Sequence, residues 1–260
     1  MNRDIQKILC RACMVGLLAV VGAFADPIMG TGSWQDFPAT LHSDGTPFYD
    51  RFSYDGTNEN VGYFLSGYDG VYAATSLHVT PQWYGDVAGQ AVTDYYFNLA
   101  HSQLTATLRL ENSARSLIDE FGWYGVSNPL VLNPIFVGAD PLGTTVSFTP
   151  SDTYGYYLTS GVGETYYTQS SLNPSAETNH QHFAAFRDSL AAEPGRTWIG
   201  VEDLPLLYCG EEVGGDYNDT VVEIVGSPEP ATGLLAGGGL LALALILRWA
   251  RKRSGRDRSR

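Results

Sequence analysis

Positive charge is almost missing from the middle of this chain. Of its 15 Lys and Arg residues, Arg3, Lys7 and Arg11 stand near the start and seven crowd into positions 248–260. Only Arg51, Arg109, Arg115, Arg187 and Arg196 lie between, and none falls between Arg196 and Arg248. The stretch 26–230 holds 26 of the 28 acids against those five, a formal charge near −21. Such a surface disfavours nucleic acid, whose phosphates need Lys and Arg. It favours solubility and cations.

Cysteine is nearly as scarce. Cys10 and Cys13 lie in the first 25 residues, so Cys209 is the one thiol beyond them. It stands unpaired or pairs between chains; it closes no loop within 26–230. The 205 residues of that stretch must therefore build a core by packing, for which the length is ample. Helical periodicity is also sparse, with short candidates only at Ser113–Glu120 and around Phe183–Ala192. No internal repeat occurs, and no G-x-S-x-G, H-E-x-x-H, Walker A or G-x-G-x-x-G string. Carboxylate pairs are too numerous to single out a glycosidase pair. The chain reads as a non-enzyme.

What is present is strand signal. Aromatic and β-branched runs recur at Val61–Leu65, Val71–Val79, Thr93–Leu99, Leu104–Leu110, Val131–Val137, Thr144–Phe148, Tyr154–Thr159, Thr165–Thr168, His182–Leu190, Trp198–Val201 and Thr220–Val225. Gly, Pro, Asn and Asp turns separate them. This pattern predicts an all-β, antiparallel sandwich or jelly-roll-like domain. Residues 26–54, rich in Gly, Pro and Asp, read as a loosely packed lead-in. His180 and His182 share a face of their strand, either as two ligands of a transition metal or as polar strand-edge residues. The pairs Tyr95-Tyr96, Tyr156-Tyr157 and Tyr166-Tyr167 offer stacking rings for a carbohydrate or ordinary cross-strand packing.

The densest acid lies in Glu202–Asp219, with Glu202, Asp203, Glu211, Glu212, Asp216 and Asp219. Like charges so close repel unless a cation or water screens them. Flanking strands and the Gly214-Gly215 turn predict a hairpin whose loop holds a hard divalent ion, Ca²⁺ foremost, or a solvated acidic loop. Glu202 and Asp203 are neighbours, so both reach one ion only if the strand bends between them.

The two ends carry an address. Three basic residues, an apolar run Ala12–Val21 and Ala23-Phe24-Ala25 predict a secretory signal peptide over 1–25, cut between Ala25 and Asp26. At the other end Ala231–Leu247 is apolar, and the basic cluster follows, as a transmembrane helix with a cytoplasmic tail requires. Segment 227–260 opens on Pro228-Glu229-Pro230. A Pro-Glu-Pro, an apolar helix and a terminal Arg cluster resemble the PEP-CTERM sorting signal of Gram-negative bacteria. That resemblance implies cleavage near Pro228, Glu229 and Pro230 by an exosortase, a passing stay in the inner membrane, and delivery to the cell surface or extracellular matrix, often beside exopolysaccharide. The plain alternative is a membrane anchor.

A second resemblance covers residues 104–226, with 26–103 as the N-terminal part of the same β-domain. Glu202-Asp203-Leu204 after an aromatic strand, and Gly214-Gly215-Asp216 with Asn218-Asp219 before a β-branched one, are similar to the bacterial surface-domain family called domain of unknown function 4114. Phe121-Gly122-Trp123-Tyr124 and His180-Gln181-His182-Phe183 with Phe186-Arg187 belong to the same likeness. It implies an extracytoplasmic β-domain with a Ca²⁺ site at Asp203, Asp216, Asn218 and Asp219; Glu202 is a further candidate. The sequence thus points to an exported surface or matrix protein, with a carbohydrate-binding module for exopolysaccharide as the alternative.

Overall fold

The structure, a computed structural model, describes residues 25–37, 61–67, 74–86, 92–113, 116–178, 180–190, 195–205 and 217–227, with the single positions 239 and 243. The acids Glu211, Glu212 and Asp216, Cys209, the sorting residues Pro228, Glu229 and Pro230, the apolar segment 231–247 apart from those two positions, and the signal peptide up to position 24 lie outside the described residues. Among the described residues no helix is long and apolar enough to cross a membrane.

Among the described residues thirteen strands form two antiparallel sheets. In chain order they are β1 Ile28–Gly30, β2 Ser33–Asp36, β3 Pro81–Gly85, β4 Tyr95–Asn98, β5 Leu104–Glu111, β6 Glu120–Gly125, β7 Asn128–Val137, β8 Thr145–Phe148, β9 Thr153–Thr159, β10 Thr165–Tyr167, β11 Phe183–Asp188, β12 Arg196–Val201 and β13 Thr220–Gly226. The first sheet runs β1-β4-β9-β6-β7, with β10 also on β9; the second runs β2-β3-β11-β12-β13-β5-β8. Strands β1–β4 pair into both sheets beside much later strands.

Period-two alternation explains how the sheets meet. Along β9, Tyr154, Tyr156 and Leu158 join the core between the sheets, with Phe97 and Phe121 beside them and Leu108, Ile199, Val222 and Ile224 from the second sheet. Along β11 both faces are buried: Phe183 and Ala185 face that core, while Ala184 and Phe186 join Trp83, Trp198 and Val221 in a second cluster. A short helix, Val61–Ser66, covers this outer face with Val61, Tyr63, Phe64 and Leu65. Eleven of the twelve largest fully buried side chains among the described residues are aromatic. Each such ring contributes on the order of 2 kcal/mol by leaving water. The aromatics are therefore fold, not platform: Tyr95, Tyr156 and Tyr166 are core, Tyr157 is fully buried on the other face, and Tyr96 and Tyr167 are half-buried.

Two expected strands are not found among the described residues. Val61–Leu65 is the helix just described, because a short apolar run buried on every side has no period to distinguish strand from helix. Val71–Val79 gives, over its described part 74–79, only turn and unpaired chain, with Leu77 and Val79 N–H donating to Phe64 and Leu65 carbonyls at 3.1 and 2.9 Å. Conversely, the lead-in contains β1 and β2, each hydrogen-bonded into a sheet. Helix is also wrong for Phe183–Ala192, which carries β11. Among the described residues of Ser113–Glu120 the helical element is a 3₁₀ turn at Ser116–Ile118.

Asp26, the residue expected to begin the exported chain, is buried. Its Oδ1 lies 2.6 Å from His101 Nδ1 and accepts the Ala100 N–H at 2.9 Å; its Oδ2 accepts the Tyr154 hydroxyl at 2.7 Å. The His101 ring in turn packs on Gly226, where a Cβ would come within 2.5 Å of it. Asp26→Ala strands the His101 and Tyr154 polar groups inside, and urea unfolding should show a loss of about 2–4 kcal/mol.

Candidate functional site

The acidic hairpin forms as a ladder: β12 and β13 pair antiparallel from Arg196↔Val225 to Gly200↔Val221. β12 ends at Val201, and the next two residues part company. Glu202 is buried; its Oε1 accepts the Tyr217 N–H at 2.6 Å, and its own N–H donates to the His182 carbonyl at 2.9 Å. That grip holds Tyr217 in the left-handed region, at φ 53°, an unusual state for a residue with a side chain. Asp203 goes elsewhere. Its N–H donates to Asp219 Oδ2 at 2.8 Å, and its carboxylate accepts the Ser113 hydroxyl.

Two other connections, β5–β6 and β9–β10, meet it there. Asn112, just past β5, donates its N–H to the Asp219 carbonyl at 2.8 Å, and its side-chain amide reaches Asn218 Oδ1 at 3.5 Å. Asn218 also bridges to Val201. Asp119, at the entry to β6, touches the Asp203 carboxyl and accepts the Gly161 N–H at 2.7 Å on Oδ1. Burial, and then the neighbouring Asp203 charge, push the Asp119 carboxyl up to about 7. Of the five expected ligands, Asp203, Asp219 and Asn218 are thus brought together, Glu202 is engaged with Tyr217, and Asp216 lies outside the described residues.

Asp119 is the participant that the sequence pattern did not reveal. Its signal was only an acid standing two residues before Phe121 of the Phe-Gly-Trp-Tyr segment. Among the described residues no three His, Cys, Asp or Glu side chains form a ready cage for a metal. The donor set is instead paired carboxylates, amide and hydroxyl oxygens and loop carbonyls, a hard-oxygen chemistry that suits Ca²⁺ better than zinc or copper.

The described arginines of the middle stretch are engaged elsewhere. Arg109 and Arg196 both grip the buried Glu223, Arg196 Nε at 2.8 Å. Arg187 lies 4.5 Å over the Trp34 ring and donates to Gln82 Oε1 at 2.9 Å.

The two histidines do sit together, with ring centres 4.6 Å apart. His182 is wholly buried, stacked on Tyr166 at 3.7 Å, with Nδ1 at 3.2 Å from the Glu202 carbonyl and Nε2 at 3.4 Å from Glu177. Burial, then His180, depress its imidazole to about 3, so the Glu177 contact joins a carboxyl to a neutral ring. Since the folded ring resists a proton that the unfolded chain takes up near pH 6.5, its stabilisation is complete above that pH and is lost as pH falls toward about 3. The His182 ring signals in an NMR titration should stay at their neutral positions down to about pH 5, and a normal titration near 6.5 would contradict the buried geometry.

No family model matches this chain, and no curated protein does. Among solved structures, the Chromobacterium violaceum lectin CV2L, in complex with α-methyl-fucoside, is similar over 51% of this chain and 96% of the lectin chain, at 14% identity and a TM-score of 0.28.

Proposed function

We propose that this is an exported, non-enzymatic protein of the cell surface or extracellular matrix, sorted by an exosortase-type system and stabilised by Ca²⁺ at the acidic end of its sandwich. The export and sorting parts rest on the sequence of the two ends. The calcium part rests on one observation: buried Asp203 touches a second buried carboxylate, with Asp219 on its backbone. In this reading Asp203, Asp216, Asn218 and Asp219 hold the ion, and Ser113 fixes the Asp203 rotamer. Calcium takes six to eight oxygens, so carbonyls and water complete what the side chains begin. Of the tyrosine pairs, Tyr96 and Tyr167 keep partly exposed rings that an exopolysaccharide partner could meet, whereas Tyr95, Tyr156, Tyr157 and Tyr166 are buried.

Thermal melting of the purified full-length chain tests the calcium reading. A ligand held only by the folded state adds about 2.7 kcal/mol at a hundredfold its Kd, here roughly 5–10 °C. Ca²⁺ should produce that rise over EDTA, and Asp203→Asn should remove it; a melting point indifferent to Ca²⁺ sinks the reading. Sorting is tested separately in a host with an exosortase. Replacing Pro228, Glu229 and Pro230 by Ala should leave the chain full-length in the membrane, where the native chain is trimmed and released.

A further inference from the structure

The acids expected to hold the ion all belong to the hairpin of the second sheet. One atom beside them belongs to the first. Asp119 is 5% exposed; Oδ1 has its partner in Gly161, but Oδ2 is buried with no hydrogen-bond partner. A buried carboxylate oxygen left so costs several kcal/mol unless something positive meets it. Beside the carboxyl stand the Asp203 carboxyl, which carries the same sign, and the Ser113 hydroxyl, which Asp203 already holds. A second buried oxygen, Thr220 Oγ1, also lacks a partner, and Asp119 and Thr220 line the same crevice between β5, β6, β7, β9 and β13. Glu111 lines it too, Asp203 does not, the rest of the wall is mostly apolar with Leu108, Phe121, Phe136 and Leu158, and no Lys or Arg is among the lining.

We infer that Asp119 is a ligand of the same divalent cation as Asp203, so that the ion clips the two sheets together rather than merely closing the hairpin loop. The inference rests on the calcium reading above and adds to it a cross-sheet ligand. Asp119 enters β6 and Gly161 follows β9, both in the first sheet; Asp203 follows β12 and Ser113 follows β5, both in the second. A cation between the two carboxylates therefore joins the entry to β6, in the first sheet, to the residues just past β12, in the second. It also explains the otherwise unfavourable placing of two like charges in contact.

Calcium titration and melting of the full-length chain distinguish the possibilities. Asp119→Asn keeps an acceptor for the Gly161 N–H and removes the charge. It should melt at or above the native chain in EDTA, because repulsion is relieved, yet bind Ca²⁺ at least tenfold more weakly. A purely structural Asp119 predicts the reverse: a lower melting point in EDTA with unchanged affinity. If Asp203→Asn abolishes Ca²⁺ binding while Asp119→Asn leaves it intact, the cross-sheet ligand is overturned and the calcium reading stands. If the native chain binds no Ca²⁺, both fall. Hydrogen exchange on the native chain gives the same decision without a variant. Ca²⁺ should slow exchange at 119–122 and 161 as well as at 203 and 217–220, and protection confined to the latter would overturn the inference.

Discussion

Two carboxylates pressed together inside a protein are unfavourable on their own, and the acidic end of this sandwich is arranged around such a contact. Asp119 and Asp203 come from different sheets, both are buried, and hydrogen-bond donors from Ser113 and Gly161 hold them in place. Coulomb repulsion at this range, in a medium less polar than water, reaches several kcal/mol. Either a proton or a cation must offset it. With the Asp119 carboxyl pushed up to about 7, a proton can do so near neutral pH, and the surplus of 26 acids over five basic residues across 26–230 attracts cations to the same place.

The rest of the fold supplies rigidity to that end without cross-links. Tyrosine, phenylalanine and tryptophan fill both sides of the second sheet, and the Val61–Ser66 helix seals its outer face. The scarce arginines stiffen the sheet itself: Arg109 and Arg196 close on Glu223 across β5, β13 and β12. Because these cations serve the sheet, they do not neutralise Asp119 and Asp203. The Asp26–His101–Tyr154 network ties the residues just before β1 to β9 and to Gly226 at the end of β13. The segment before β1 and the end of β13 thereby meet at one buried side chain, His101.

Much of this was legible in the sequence because β-structure writes itself in alternation and turns. Nine of the expected strands, among them Leu104–Leu110, Tyr154–Thr159 and the hairpin pair Trp198–Val201 and Thr220–Val225, coincide with observed ones. Strand β6 was harder to see, since Gly122 and Gly125 dilute its β-propensity. The reason for Gly122 is spatial: a Cβ there would lie 2.3 Å from the Asn133 carbonyl, beside a register shift against β7. Helix Val61–Ser66 was hidden for the opposite reason, an apolar run with no polar face. At the site, the crowding of acids at 202–219 was plain, but the meeting of Asp119 with Asp203, and of Asp26 with His101, exists only once the sheets are stacked.

Anomalous diffraction from crystals grown with terbium in place of calcium tests this account most directly. It predicts one ordered ion with carboxylate oxygens of both Asp119 and Asp203 about 2.3–2.6 Å away, the calcium–oxygen range. An anomalous map with no ion there, and a short oxygen–oxygen contact marking one proton shared by the two carboxyls, would contradict it.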